Sequence, residues 1–219
     1  MNAETFTKLV DEVALLLFDL DGTLVDSTAS VKRAWRDFAG RHQVAESDIF
    51  AISEGRQGHA VVAELRPDLD ALAEDQLLLE YQIADASDVV EVPGANRLLS
   101  QLDPARWAIV TSCTRRLAMT RLDAAGLPHP RTLITADETQ RSKPDPQGFQ
   151  LAMERHGMQP SQCLIFEDSA AGIAAANSAG IDVIQVSHAV VAQEHGTIGS
   201  IQDWNLYQSA SDTARLRTA

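Results

Sequence analysis

The sequence is poor in cysteine, in positive charge and in long apolar runs, and each shortage closes off a class of protein. Cys113 and Cys163 are its only cysteines. They give no disulfide framework and no zinc spacing, so a reducing cytoplasm is the expected home. None of the six histidines stands in an H-x-x-x-H pair, which removes support for zinc hydrolase chemistry. Lys and Arg number 18 against 31 Asp and Glu, for a net charge of −13 and a pI near 4.7. Nucleic acid and anionic membranes are held by basic surfaces, so neither is expected as a partner. A small anionic substrate stays open, because a metal ion and two or three local cations can reverse the potential inside one site. The apolar stretch 13–18 is too short for a signal core or a membrane span, and Glu4, Asp11 and Glu12 stand before it instead of a basic leader. The first ten or so residues read as a frayed extension or a short helix.

What remains is ordinary globular composition: 219 residues, 45% hydrophobic and 22% charged. That length suits one sizeable domain, or one domain with a small inserted one. Aliphatic-rich runs cut off by turn residues read as buried parallel strands at 13–18, 107–110, 132–135, 163–166 and 182–186. Helical patterns lie between them at 95–102, at 115–125, stopped by Gly126 and Pro128, at 147–156, and at 170–179, stopped by Gly180. Such alternation means right-handed crossovers and a parallel sheet covered on both faces. The segment 26–92 breaks the alternation. Val31, Ala34, Trp35 and Phe38 share a helical face, and further helical patterns follow at 48–52, 59–65 and 69–85 with no clear strand. It reads as an inserted antiparallel bundle of about four helices, and Pro93-Gly94 marks the return. The tail 188–219 is weakly patterned, with one short strand and a helix near 201–209.

Three of the apolar strands run straight into polar chemistry: Asp19 and Asp21, then Thr111 and Ser112, then Glu167 and Asp168. The carboxyl ends of parallel strands are where open α/β sheets bind ligands. Two acids spaced i, i+2 repel unless a cation or a proton intervenes, which points to a divalent metal and a phosphate. Ser142-Lys143-Pro144-Asp145 adds a cation between the second and third of these ends, and the proline restricts the lysine backbone to an extended conformation.

Asp19 to Ser27 resembles DxDGTLxDS, the first motif of the haloacid dehalogenase superfamily in its phosphatase form. All four family motifs match in order between about Val13 and Val186. The resemblance implies a Rossmann-like α/β core with strand order 5-4-1-2-3, residues 1–25 and 93–219, and an all-helical cap at 26–92. It implies Asp19 as nucleophile and Asp21 as general acid/base. Ser112 (with Thr111 ranked second, its side chain expected on the other face), Cys113 and Lys143 would hold the phosphoryl group. Mg²⁺ would be held by Asp19, by the Asp21 main chain, by Asp168, and through water by Glu167. Cys113 stands where relatives often have Gly, Ala or Asn, and reads as a small packing residue or an oxidisable one. Arg56, in the Glu54-Gly55-Arg56 turn of the insertion, could reach a sugar hydroxyl or phosphate, or simply sit in solvent.

The activity so implied is Mg²⁺-dependent hydrolysis of small phosphomonoesters, most like the sugar and polyol phosphate phosphatases, by a monomer or weak dimer. A β-phosphoglucomutase uses the same motifs and is the runner-up. A haloacid dehalogenase would have no acid at Asp21. A non-catalytic phosphate-binding module would have no need of all four motifs.

Overall fold

The computed structural model describes residues 1–53, 56–187 and 194–207. Its order opens with α1 (Ala3–Glu12), β1 (Leu15–Phe18) and β2 (Val25–Asp26), followed by four helices: α2 (Thr28–His42), α3 (Glu46–Ile52), α4 (Gly58–Leu65) and α5 (Ala71–Ala84). β3 (Val90–Glu91) returns the chain to α6 (Ala95–Gln101), β4 (Trp107–Val110), α7 (Arg115–Ala124) and β5 (Leu133–Ile134). Then come α8 (Gln147–His156), β6 (Cys163–Glu167), α9 (Ala170–Ala179), β7 (Asp182–Val186) and β8 (Gly199–Ile201).

One sheet runs β5-β4-β1-β6-β7-β8, with every pairing parallel. The five expected strands keep the expected order, and β8 adds a sixth at the β7 edge. Side-chain alternation along β1 explains why the run is apolar throughout. Leu16 and Phe18 pack into a cluster with α1, α6 and α7 on one face, while Leu15 and Leu17 pack with α8 and α9 on the other. All four are fully buried.

The N-terminal stretch is no frayed extension. Asn2 caps α1 by accepting from the Thr5 amide at 2.9 Å, and Phe6 and Val10 are fully buried. Phe6 meets Phe166 edge-on with ring centroids 5.9 Å apart. The amphipathic spacing Phe6/Val10, i and i+4, is what seats it.

The four inserted helices pack around a cluster of their own, with Trp35, Phe38, Ile49, Val61, Val62 and Leu78 at its centre. The insertion is entered and left through an antiparallel pair, Val25 with Glu91 and Asp26 with Val90. Two-residue strands are too short to leave a period in the sequence, which is why this stretch read as helix alone.

Among the described residues the tail forms β8 and a 3₁₀ turn, Trp204–Leu206, where a helix was expected; residues 208 and 209 of that expectation lie outside the described residues. Trp204 is fully buried, stacked edge-on against Phe18 and Phe166. Its indole N–H donates to the Thr23 carbonyl at 2.9 Å, and its amide donates to the Pro93 carbonyl at 2.9 Å. One residue from the tail thereby braces both connections to the insertion.

Candidate active site

The carboxyl ends of β1, β4 and β6 meet under the insertion, and the cleft between them encloses about 980 Å³. Asp19, Asp21, Thr111, Ser112, Cys113, Lys143 and Asp168 line it, and Glu167 is buried behind them. Asp19 leaves β1 with its amide donating to the Phe166 carbonyl on the neighbouring strand at 3.0 Å. Gly22 then turns the chain with φ +82, and a Cβ there would fall 1.9 Å from an Asp168 carboxylate oxygen. No other residue fits that turn. The Gly172 backbone of α9 is tight for a similar reason, since a Cβ would overlap the Glu167 carboxylate.

Lys143 is the hub of the floor. Its ammonium donates to Asp19 Oδ1 at 2.5 Å, to Glu167 Oε1 at 2.6 Å and to the Val110 carbonyl at 3.1 Å. Burial works against its charge, but Asp19 and Glu167 outweigh that and hold its pKa above the usual lysine value. The Lys143–Pro144 bond is cis. Glu167 is fully buried and both its oxygens are engaged. Oε2 accepts from the Asp168 and Ser169 amides, each at 2.9 Å, and from the Ser169 hydroxyl at 3.0 Å. Its direct partners are thus Lys143 and the start of α9.

Ligand oxygens of Asp19, Glu167 and Asp168 lie within 4.8 Å of one another. Burial, opposed by Lys143 and reinforced by Glu167 and Asp21, pushes the Asp19 carboxyl from 3.8 up to about 8. Burial, with Glu167 and Asp19 beside it, holds Asp168 well above the carboxylate range too. Three acids facing one lysine need a further cation or protons, so the donor set fits a hard divalent metal ion. The Thr23 hydroxyl, 3.4 Å from Asp168 Oδ1, orients that carboxylate.

Asp21 lies apart from this cluster. Its Oδ1 accepts from the Ser27 hydroxyl at 2.7 Å, and its Oδ2 faces the Arg121 guanidinium at 2.5 Å and the Cys113 thiol at 2.9 Å. Burial pushes the Cys113 thiol far above the usual range, and Asp21 adds to the shift against the opposing Arg121. Ser112 lines the cleft at the end of β4. Thr111 borders it as well, and its hydroxyl accepts from the Cys113 amide at 3.1 Å. Arg56 reaches the rim of the cleft but pairs with Glu64 at 2.9 Å; its neighbours Glu54 and Gly55 lie outside the described residues.

Two participants escaped the sequence reading. Arg121 is only 3% exposed, and its position on the inward face of α7 with Leu117, Ala118 and Leu122 was the available signal: a charge in an apolar stripe. The second is the polar roof supplied by Lys32, His59, Asp75, Gln76 and Gln82, which no motif marks.

The chain matches the model of the haloacid dehalogenase-like hydrolases over residues 13–180. It belongs to that family. It is 38% identical over 176 residues to hexitol phosphatase A of Escherichia coli (strain K12), covering 78% of this chain and 82% of that one. It is 32% identical over 186 residues to a fructose-1-phosphate phosphatase of the same strain, covering 81% and 98%. Among solved structures, a β-phosphoglucomutase from Clostridium difficile superposes with a TM-score of 0.75 over 94% of this chain and 98% of its own, at 17% identity. At that identity the likeness shows the shared haloacid dehalogenase fold alone.

Proposed function

We propose that this hydrolase is a Mg²⁺-dependent phosphomonoesterase acting on small sugar or polyol phosphates in the cytoplasm. The observation that carries the reading is the separation of duties at the end of β1. Asp19 is gripped by Lys143 beside two further acids, while Asp21, two residues on, is held apart from them by its own donors.

In the first step an Asp19 oxygen bonds to phosphorus, the bond from phosphorus to the alcohol oxygen breaks, and Asp21 gives its proton to that departing oxygen. In the second, a water oxygen attacks the phosphorus and Asp21 takes the proton. The aspartyl bond breaks, releasing inorganic phosphate and restoring the Asp19 carboxylate. Lys143 neutralises Asp19 against the phosphoryl oxygens and stabilises the charge they gather. Ser112, with the backbone at Cys113, holds those oxygens, and Thr111 shapes the turn that presents them. Mg²⁺ suits the oxygen donors of Asp19, Asp168 and the Asp21 main chain, with Glu167 reached through water; it would draw negative charge off the phosphoryl group.

Residues 1–25 and 93–219 act as the catalytic core and 26–92 as a cap whose opening admits substrate and whose closure excludes water. The polar roof matches a polyhydroxylated substrate, and Arg56 at its rim contributes to selection. The sugar and polyol phosphatases among the relatives support this reading over the mutase one. Phosphate release across a panel of hexitol, hexose, glycerol and nucleotide phosphates tests it: polyol and sugar phosphates should rank first, and turnover should need Mg²⁺.

A further inference from the structure

Of the three groups that hold the Asp21 carboxylate, two lead to the insertion, and the third is the Cys113 thiol of the core. Ser27, which donates to Oδ1, is the residue from which α2 starts. Arg121, on Oδ2, extends its other terminal nitrogen to Gln82 Oε1 on α5 at 2.6 Å. The same guanidinium also donates to Cys113 Sγ at 2.8 Å. The floor shows no such link: the partners of Lys143 are Asp19, Glu167 and the Val110 carbonyl, all in the core. One carboxylate of the pair is thus fixed by the core alone, and its neighbour is fixed across the boundary.

Arg121 is a costly way to fill the inward face of α7. A leucine or methionine there would continue the stripe of Leu117, Ala118 and Leu122 without desolvating a guanidinium. Its Nε has no hydrogen-bond partner among the described residues, so burial is not fully compensated. What the arginine adds is geometry: a planar fork that can touch two groups at once from a fixed position. The seam it occupies is the one where the core meets the insertion through α7 and α5, and a second pair, Arg116 with Glu80, spans it at the surface.

We propose that Arg121 is a positioning residue for Asp21, and that it transmits the position of the cap, through Gln82, to the aim of that carboxylate. With α5 seated, the guanidinium is fixed at both ends and Asp21 is held for proton delivery to the departing oxygen. When α5 moves away, Gln82 leaves the fork, the guanidinium is free to follow it or turn, and Asp21 loses its fixed direction. Proton transfer is then confined to the closed cap, whereas the Asp19–Lys143 pair stays assembled throughout. This inference rests on the reading of Asp21 as proton carrier.

Its test compares p-nitrophenyl phosphate with phenyl phosphate, two esters of like shape whose leaving groups differ in their need for a proton. The parameter is kcat/KM, which covers the steps up to departure of the phenol. In Arg121→Met the ratio of nitrophenyl to phenyl ester should rise roughly tenfold or more, since general acid catalysis is worth about 10²–10⁴ where the leaving group needs it. Arg121→Lys, which keeps a cation, should recover part of the loss. Gln82→Leu should raise the ratio by a smaller factor, and adding it to Arg121→Met should change nothing further, because both act through one fork. Equal loss for the two esters in a folded Arg121→Met overturns the positioning role. An unchanged ratio in Gln82→Leu overturns the link to the cap, and that variant carries the whole test if Arg121→Met does not fold. A wild-type protein that releases no phosphate, or an Asp19→Asn variant that still does, would instead overturn the phosphatase reading itself.

Discussion

The floor and the roof of the cleft are built on opposite principles. The floor is a knot of charges at strand ends: Asp19, Glu167 and the Lys143 side chain are each 10% exposed or less and satisfy one another at 2.5–2.6 Å. The roof is made of half-buried and exposed polar side chains on α2, α4 and α5, and its ion pairs, such as Arg56 with Glu64, have side chains 35% and 54% exposed. Buried charges held by several partners cannot be exchanged singly without loss, whereas exposed pairs contribute little and can change. Under the proposed function the reaction belongs to the floor and the choice of substrate to the roof.

The largest effect should come from cutting the knot. Lys143→Met should lower kcat by at least 10²–10³-fold, the range for one lost stabilising donor. It should also destabilise the fold by about 3–5 kcal/mol, because two buried carboxylates lose their common partner. Turnover and urea unfolding measured together check both. A roof substitution with the same double signature would erase the contrast.

The floor also sets a pH dependence. Asp19 titrates near 3.8 when unfolded and about 8 when folded without metal. Between those values the folded chain binds the extra proton, so this group's contribution to stability is present below about pH 4 and is lost as pH rises through about 8. Mg²⁺ binding at pH 7 should therefore release protons, and should raise the Tm more at pH 8 than at pH 5. Calorimetry in buffers of different ionisation enthalpy reads the first, and thermal melts the second.

Trp204→Phe sharpens the comparison from outside the cleft. It removes the indole donor from the Thr23 carbonyl and should cost about 1–3 kcal/mol for the unsatisfied buried acceptor, with kcat changed less than by any floor substitution. Denaturant midpoints and turnover separate the two. The smallest effect is expected at Arg56: Arg56→Ala should shift KM and the ranking of sugar and polyol phosphates by less than about tenfold, the scale of a partly exposed polar contact, and should alter p-nitrophenyl phosphate hydrolysis less. Equal changes for both would remove Arg56 from substrate selection.

The floor was legible in the sequence because its residues sit where periodicity stops. An apolar strand that ends in Asp, Thr-Ser or Glu-Asp announces both the strand and the group it presents, and β1, β4 and β6 lie next to one another. The contacts that tie the floor to the rest were not legible. Arg121 is 100 residues from Asp21 in the chain and Trp204 is 181 residues from Thr23; the charge in the apolar stripe of α7 marks Arg121 as buried, but nothing local names either partner. The paired strands at Val25–Asp26 and Val90–Glu91 are each two residues long, too brief for alternation to register. The roof escaped for a third reason: a polar residue on a helix looks the same whether it faces solvent or a cleft.

The central claim is tested most directly by phosphate release from hexitol and hexose phosphates, with Mg²⁺ and with chelator, by wild type and Asp19→Asn. The account predicts turnover by wild type with Mg²⁺, none with chelator, and none by Asp19→Asn under either condition. Phosphate release that survives in Asp19→Asn, or that proceeds equally well in chelator, would contradict it.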